Sequence, residues 1–420
     1  MDKADFDIVI VGGGMVGCAL ACAIAGNEHC KGLNIALLEA ASESANKKAN
    51  EKPESDSEKF DSRVVALSNK SREFLQTLGV WQSLSLQRHC PYKEMFVWDG
   101  EGTGSIRFDC HDIRENQLGY IVENNIVIAA LRKKIAELEN VQFIYNARVS
   151  DIQFEVIGER PLQEIAVSVD GDTQTIKTRL ILAADGARSN VRDMAGLPTR
   201  EWDYGHSAII ATIETEKSHD YTARQRFTSS GPIAFLPLLD EALSSAKSTA
   251  YCSLVWSAET DLATALMALN DEEFALKLGA AFEEKSGKVL SVGTRHCIPL
   301  RQRYAKSYIR QGLALVGDAA HSIHPLAGQG VNLGLYDALA ITDEIARSQV
   351  RQFPLEDFSI LQRYERERQS HNILAMAAME GFKRLFASDQ LAFRWLRNFG
   401  MQHFDQTLWL KKKLMKVASG

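Results

Sequence analysis

The chain has 420 residues, which is enough for two domains with separate hydrophobic cores. Hydrophobic residues make up 45% and charged residues 24%, and a net charge of -6 excludes the basic field of a nucleic-acid-binding protein. The seven cysteines include no C-x-x-C pair, so we expect no disulfide framework, no metal site and a reducing, cytoplasmic location.

The first elements predict half of a Rossmann fold. A continuous apolar run at residues 6–11 predicts a buried parallel strand, and residues 15–25 predict a helix of small side chains. Between them, Gly12 permits a tight turn, Gly14 lets a pyrophosphate approach the backbone, and Gly17 lets the helix pack closely on the strand. We therefore predict a dinucleotide site at Gly12, Gly14 and Gly17.

A second predicted strand, at residues 33–38, ends at Glu39. A carboxylate at this position can accept hydrogen bonds from an adenosine ribose, and it would repel a 2′-phosphate. The site therefore suits FAD or NAD better than NADP. The loop alone does not choose between them, and an NAD-dependent dehydrogenase fits it as well.

The middle of the chain changes character twice. Residues 41–59 are almost wholly polar, which predicts a flexible loop, with a functional lid as the alternative. Strand-like runs between 141 and 182 lead to Asp185 and Gly186. From 201 to 292 the strand-like runs carry aromatic residues, and together with residues 92–108 they predict an antiparallel substrate-binding sheet.

A second glycine-rich region follows a short apolar strand at residues 313–316. Asp318 would lie at the carboxyl edge of the sheet, where it can accept hydrogen bonds from a polyol such as a ribityl chain. Glycines there let a flat ring approach the backbone, and a helix N-terminus favours the negative charge of a reduced flavin. The alternative is a glycine-rich turn that only caps a helix. With the first loop, this region indicates FAD, held by Asp318, Gly328, Gln329, Gly330 and Asn332.

These residues carry a family resemblance that extends over nearly the whole chain. The chain resembles the FAD-dependent aromatic hydroxylases of the para-hydroxybenzoate hydroxylase fold, and within them the ubiquinone-biosynthesis hydroxylases that act on polyprenylated phenols. The carriers are residues 12–17, Glu39, 61–67, 185–192 and 317–334. One departure is Asn125, where many relatives carry an arginine beside the FAD phosphates.

The resemblance implies an α/β architecture. We expect a Rossmann-type FAD-binding domain, an inserted antiparallel-sheet substrate domain and a helical C-terminal region. The expected FAD-binding parts are residues 1–85, 120–200 and 300–350, the substrate-domain parts are 86–119 and 201–299, and the helical region is 351–420.

The resemblance also implies the reaction. NAD(P)H, as co-substrate, would reduce FAD, O2 would form a flavin hydroperoxide, and one oxygen atom would pass to the aromatic ring of a prenylated phenol. Asp185 and Gly186 match a segment that this fold uses for both FAD and the nicotinamide donor. The alternatives are a reductase of the same fold and a non-catalytic flavin-bound component of a lipid-modifying complex.

Three further residues are assigned to the reacting end of the site. Arg63 follows the polar insert and is expected near the flavin or the donor phosphates, with a surface ion pair as the alternative. His324 and Pro325 are the candidate catalytic residues. His321 is an equal candidate for proton handling, and a structural role remains open for both histidines.

The chain ends suggest how a lipid substrate is met. The acidic start predicts no signal peptide, and no apolar run reaches the roughly 18 residues of a spanning helix. The apolar and basic residues of 409–416 fit either an interfacial anchor or a solubilising tail. Expected partners are therefore a prenylated phenol and O2, with a ubiquinone-biosynthesis complex and peripheral contact at the inner face of a membrane as further candidates.

Overall fold

A computed structural model describes residues 4–43, 60–157, 160–240, 249–322 and 329–387, together with Lys412 and Met415. His324, Pro325 and Gly328 lie outside the described residues. So do most of the predicted polar loop, from residue 44 to 59, and nearly all of the chain beyond 387.

The strands alternate with helices at both ends of the chain and follow one another directly in its middle. In chain order the strands are β1 (Phe6–Val11), β2 (Ile35–Leu38), β3 (Val64–Ser68), β4 (His89–Tyr92), β5 (Glu94–Asp99), β6 (Ser105–Asp109), β7 (Gly119–Glu123), β8 (Val141–Ile144), β9 (Ala147–Ile157), β10 (Arg160–Val169), β11 (Asp172–Ala183), β12 (Thr199–Thr215), β13 (Thr222–Thr228), β14 (Gly231–Pro237), β15 (Tyr251–Glu259), β16 (Val289–Val292), β17 (His296–Ala305), β18 (Ile309–Arg310), β19 (Leu313–Leu315) and β20 (His321–Ser322).

The helices fall mainly near the two ends and along the outer side of the middle sheet. They are α1 (Met15–Gly26), α2 (Asn69–Thr77), α3 (Trp81–Ser85), α4 (Asn124–Ile135), α5 (Asn190–Met194), α6 (Thr260–Met267), α7 (Asp271–Ala281), α8 (Gln329–Val350) and α9 (Phe358–Ala387).

The first sheet is the predicted Rossmann-type sheet. Its order is β18-β19-β11-β1-β2-β8, and β1, β2, β8, β11 and β19 pair in parallel. Strands β1 and β2 read as continuous apolar runs because most of their side chains are buried in the core beneath α1 and α8. The hairpin of β9 and β10 extends this sheet from β11.

The second sheet is built mainly from the middle of the chain. Its order is β20-β17-β12-β15-β14-β13-β5-β6, with β16 also on β12. The pairs are antiparallel, as predicted, except for one parallel pair between β5 and β13. That pair arises because β5 enters from an earlier part of the chain and not through a hairpin with β13. One face of this sheet packs on α6 and α7.

The predicted domain boundaries fall close to element ends. Strand β12 begins at Thr199 and β17 ends at Ala305, so both strands cross the expected limits at 201 and 299 by a few residues. A three-stranded sheet, β3-β7-β4, stands between the two large sheets. The division into domains stays a prediction.

The two long C-terminal helices agree with the predicted helical region. The hydroxyl of Tyr364 on α9 donates to the carbonyl of Leu315 at 2.7 Å, which fixes α9 against β19 of the first sheet. No helix in the described part of the chain combines the length and apolar character needed to cross a bilayer.

Candidate cofactor-binding site

The glycines of the first loop have different roles. A Cβ at Gly12 (φ +107) would lie 2.4 Å from the Ala184 carbonyl oxygen, and one at Gly17 would lie 1.8 Å from the Gly12 carbonyl oxygen. Neither position can take a larger side chain without moving backbone. A Cβ at Gly14 would meet no atom within 4 Å. Gly12 and Gly17 are therefore required by the fold, whereas Gly14 leaves a space that a ligand can fill.

That space belongs to a cavity of about 330 Å³ at the carboxyl ends of β1 and β11. Five predicted cofactor-binding residues line it together: Gly12, Gly14, Glu39, Asp185 and Gly186. Arg148, Arg188 and Asn190 complete its polar lining. The carboxyl edge of parallel strands is where α/β sheets bind ligands, so the location fits a dinucleotide.

The Glu39 carboxylate is fixed by backbone donors. Its Oε2 accepts the N–H of Gly13 at 2.8 Å, and its Oε1 accepts the N–H of Ala41 at 2.8 Å. Each oxygen keeps a second lone pair for a ligand hydroxyl. This arrangement fits the predicted contact with a ribose.

Asp185 follows β11 and is less fully satisfied. Its Oδ2 accepts the N–H of Val191 at 3.2 Å, while its Oδ1 is buried without a hydrogen-bond partner among the described residues. Burial raises the pKa of this carboxyl, against the lowering effect of the hydrogen bonds from Ser189 and Val191. An unused buried acceptor on the cavity wall is what a hydroxyl-bearing cofactor requires.

Asp318 and Arg63, predicted from distant parts of the chain, come close together. Asp318 lies in a short 3-10 turn after β19, open to solvent yet surrounded by protein. Burial raises the pKa of its carboxyl, and the positive charges of His321 and Arg63 partly oppose that rise. A carboxylate beside a cation at a strand end suits hydrogen bonding to a polyol and attraction of a phosphate.

The Asn332 side chain is occupied by the protein. Its Oδ1 accepts the N–H of Ser68 at 2.9 Å and the hydroxyl of Ser71 at 2.6 Å, and its Nδ2 donates to the Ala66 carbonyl at 2.8 Å. These bonds tie α8 to β3 and α2, which leaves the backbone as the part of Asn332 suited to a cofactor. Gln329 and Gly330 begin the same helix.

Sequence reasoning missed Asp337, a fully buried carboxylate on α8. Its Oδ2 accepts the N–H of Gly317 at 3.0 Å and lies 2.5 Å from Nε2 of His321, and its Oδ1 accepts Nε of Arg368 at 2.7 Å. Burial alone would raise the pKa of Asp337, but His321 and Arg368 outweigh it and hold the pKa below its usual value. The available signal was an acid at a core position of an otherwise apolar helix.

The contact with Asp337 bears on His321. This histidine is fully buried, with its Nε2 on the carboxylate. The geometry supports the structural alternative for His321, and the catalytic assignment of His324 and Pro325 stays a prediction.

One group of metal-ligand side chains, Asp109, Cys110 and His111, clusters in the described part of the chain. The Asp109 carboxylate accepts the His111 N–H at 2.8 Å and contacts its ring at 2.6 Å. Capping of a 3-10 turn explains this cluster.

Comparisons with known proteins define the class. The p-nitrophenol 4-monooxygenase of Pseudomonas putida superposes with a TM-score of 0.75 at 18% identity, over 100% of this chain and 99% of that one. PqsL of Pseudomonas aeruginosa, solved with 2-aminobenzoylacetate, gives 0.74 at 20% identity, over 95% and 99%. The fold is that of the FAD-dependent aromatic hydroxylases.

Sequence comparison then gives the family. The FAD binding domain family matches residues 5–378. The 3-demethoxyubiquinol 3-hydroxylase of Escherichia coli is 33% identical over 420 residues, covering 100% of both chains. The mitochondrial ubiquinone biosynthesis monooxygenase of Xenopus tropicalis is 33% identical over 453 residues, covering 99% of this chain and 94% of the relative. The chain belongs to the FAD binding domain family, in the group that contains these monooxygenases.

Membership confirms the predicted enzyme class and cofactor. The protein is an FAD-dependent monooxygenase, and NAD(P)H is the co-substrate of such hydroxylases. Bound FAD supplies the redox chemistry, taking electrons from NAD(P)H and activating O2. The glycine loop, Glu39 and the unused Oδ1 of Asp185 are the groups that fit it.

Proposed function

We propose that this enzyme hydroxylates the aromatic ring of a polyprenylated phenol in ubiquinone biosynthesis. The observation that carries the proposal is the full-length match to the 3-demethoxyubiquinol 3-hydroxylase, which covers both chains completely. The ubiquinone hydroxylase of Rhodospirillum rubrum, 32% identical over 99% of this chain and 89% of that relative, agrees with it.

An apolar, aromatic wall supports a phenolic substrate. It lies between the small sheet and strands β14 and β15, and it contains Phe60, Ile121, Leu238 and Tyr251, with Tyr92, Tyr221 and Leu236 packed against them. The rings of Phe60 and Tyr251 are 5.6 Å apart. Aromatic walls of this kind bind flat apolar groups.

The wall is joined to the predicted flavin end of the site. Asn332, in the first turn of α8, binds Ala66 and Ser68 of β3, and Ala66 packs against the aromatic wall. The same helix begins at Gln329, which the resemblance assigns to the flavin. We therefore assign Gln329, Gly330 and Asn332 to the ring end of FAD, and Glu39 and Asp185 to its adenosine and pyrophosphate end.

Residue roles follow from this arrangement. Gly14 leaves room for the phosphates, Asp318 accepts hydrogen bonds from the ribityl chain, and Arg63 opposes negative charge beside it. The apolar wall excludes water from the reacting carbon. We assign proton handling at the reacting end to His324, beside Pro325.

The proposal extends to the cellular setting. We infer a cytoplasmic protein that contacts the inner face of a membrane through the apolar and basic residues of 409–416, because a polyprenyl tail keeps the substrate in the bilayer. A complex with other ubiquinone-biosynthesis proteins would pass that substrate between active sites.

The test is a profile of quinone intermediates in cells that lack this protein. A prenylphenol one oxygen atom short of a ubiquinone precursor should accumulate, and the wild-type gene should remove it. Gly14→Val, which fills the phosphate space, should not. An unchanged profile would contradict the proposed function, and rescue by Gly14→Val would favour a non-catalytic component.

A further inference from the structure

The peptide groups of Gly13 are held from both sides. Its N–H donates to Oε2 of Glu39 at 2.8 Å, and its carbonyl accepts Nη2 of Arg132 at 2.9 Å. The thiol of Cys18 also points to this carbonyl, at 3.3 Å. Burial raises the pKa of Cys18 to about 12, so the thiol stays protonated and can only be a weak donor. Arg132 is thus the charged partner of the Gly13 carbonyl.

The surroundings leave Gly13 little freedom. A Cβ at this residue would lie 2.8 Å from Oε2 of Glu39 and 3.0 Å from the ring of Phe143. The Arg132 guanidinium itself lies 5.7 Å from the centre of the Phe143 ring. The carboxylate, the guanidinium and the ring therefore enclose one glycine of the phosphate loop.

Arg132 is reached from a helix that also carries the departure from the family pattern. Asn125, where many relatives have an arginine near the FAD phosphates, lies seven residues earlier on α4. Seven residues are close to two helical turns, so the two side chains project from the same face of α4. A cation is thus kept on this face, two turns further along.

We propose that Arg132 is a positioning residue of the FAD site that aims the Gly14 N–H at the pyrophosphate. In a trans peptide the carbonyl of one residue and the N–H of the next point in opposite directions. A carbonyl of Gly13 bound on the α4 side therefore turns the Gly14 N–H away from α4. Gly14 lines the cavity and has open space beside it, which is where a phosphate fits.

The charge of Arg132 adds to this orienting effect. A guanidinium on the carbonyl draws electron density through the peptide and makes the Gly14 N–H a stronger donor. It also offsets the partial negative charge of a carbonyl close to an anion. Arg132 acts through the backbone, so this inference concerns cofactor affinity and holds whichever phenol is the substrate.

The experiment measures ligand binding to the full-length chain freed of FAD by mild denaturant and refolded. The probes are FAD, ADP, which carries a pyrophosphate, and adenosine, which carries none. Arg132→Met should weaken FAD and ADP binding by about tenfold, the usual loss for a charge-assisted hydrogen bond, and leave adenosine unchanged. Arg132→Lys, which keeps the charge, should recover most of the ADP affinity.

The control is Lys133→Met, which removes one positive charge from the exposed face of the same helix. It should bind all three probes as the wild-type chain does. Unchanged ADP affinity in Arg132→Met would overturn the proposal, as would an equal loss for adenosine, because that result means general damage to the cavity. If Arg132→Met does not fold, Arg132→Lys and Arg132→Gln are compared with ADP and adenosine in the same way. The proposed substrate is tested separately, by the intermediate profile.

Discussion

The Oδ2 atom of Asp337 lies 2.5 Å from Nε2 of His321, and both side chains are fully buried. The same oxygen accepts the backbone N–H of Gly317, the residue before Asp318. One carboxylate on α8 thereby fixes the turn that presents a predicted ribityl-binding residue. Arg368 on α9 completes the network through its Nε, 2.7 Å from Oδ1.

Replacing Asp337 with Asn should strongly destabilise the protein. The change removes the negative charge that Arg368 and His321 face in the core, and breaking a buried ion pair costs roughly 3 kcal/mol or more. Thermal unfolding followed by circular dichroism should show a clear drop in Tm. Asp343→Asn, on the exposed side of the same helix, is the matched control and should change little. Equal Tm values for the two variants would contradict the role of Asp337.

The same network predicts how stability changes with pH. Because the folded state lowers the pKa of Asp337 below its usual 3.8, the ionised carboxylate stabilises the fold at all pH values above 3.8. This contribution fades as the pH falls through the lowered pKa. The Tm difference between the wild-type chain and Asp337→Asn should therefore be constant near neutrality and shrink in strong acid. A difference that grows on acidification would reverse the sign of the argument.

Two glycine substitutions should separate folding from cofactor binding. In Gly17→Ala the new Cβ would lie 1.8 Å from a backbone oxygen, so Tm should fall with or without FAD. In Gly14→Ala the Cβ enters open space, so the apoprotein should keep its Tm while its FAD affinity drops. Gly26→Ala, at the exposed end of α1 with open space around it, serves as the control for both. Loss of apoprotein stability in Gly14→Ala would show that Gly14 serves the fold.

Asp318→Asn should exchange cofactor affinity for stability. Burial raises the pKa of Asp318, which means that its ionised form disfavours the folded state increasingly as pH rises above 3.8. The neutral amide should therefore raise the Tm of the apoprotein at neutral pH and weaken FAD binding, as is common at functional sites. Differential scanning calorimetry and flavin fluorescence measure the two effects. Asp193→Asn, on the surface of α5, should alter neither.

The sequence predicted those parts of the fold that depend on local pattern. Strand β1 begins and ends where its apolar run does, and the glycine loop and Glu39 follow from spacing within one βαβ unit. The parallel pairing of β5 with β13 was missed, because it joins segments more than a hundred residues apart and has no local signature.

The same limit applies to the site. Residues that line the cavity from strand ends, such as Asp185, were found because strand ends are visible in the sequence. The contacts of Arg132 with Gly13 and of Asp337 with Arg368 depend on how separate helices pack. Asn332 was found, but the use of its side chain to tie α8 to β3 could not be foreseen, since that role needs the position of Ala66 and Ser68 in space.

The most direct test of the central claim is the origin of the oxygen in the product. Purified enzyme containing FAD is given NAD(P)H, a prenylphenol and isotopically labelled O2, and the product is weighed by mass spectrometry. The account predicts a product heavier by one labelled oxygen atom, with NAD(P)H consumed only when the phenol is present. Unmodified phenol with hydrogen peroxide as the sole product, or an oxygen atom taken from water, would contradict it.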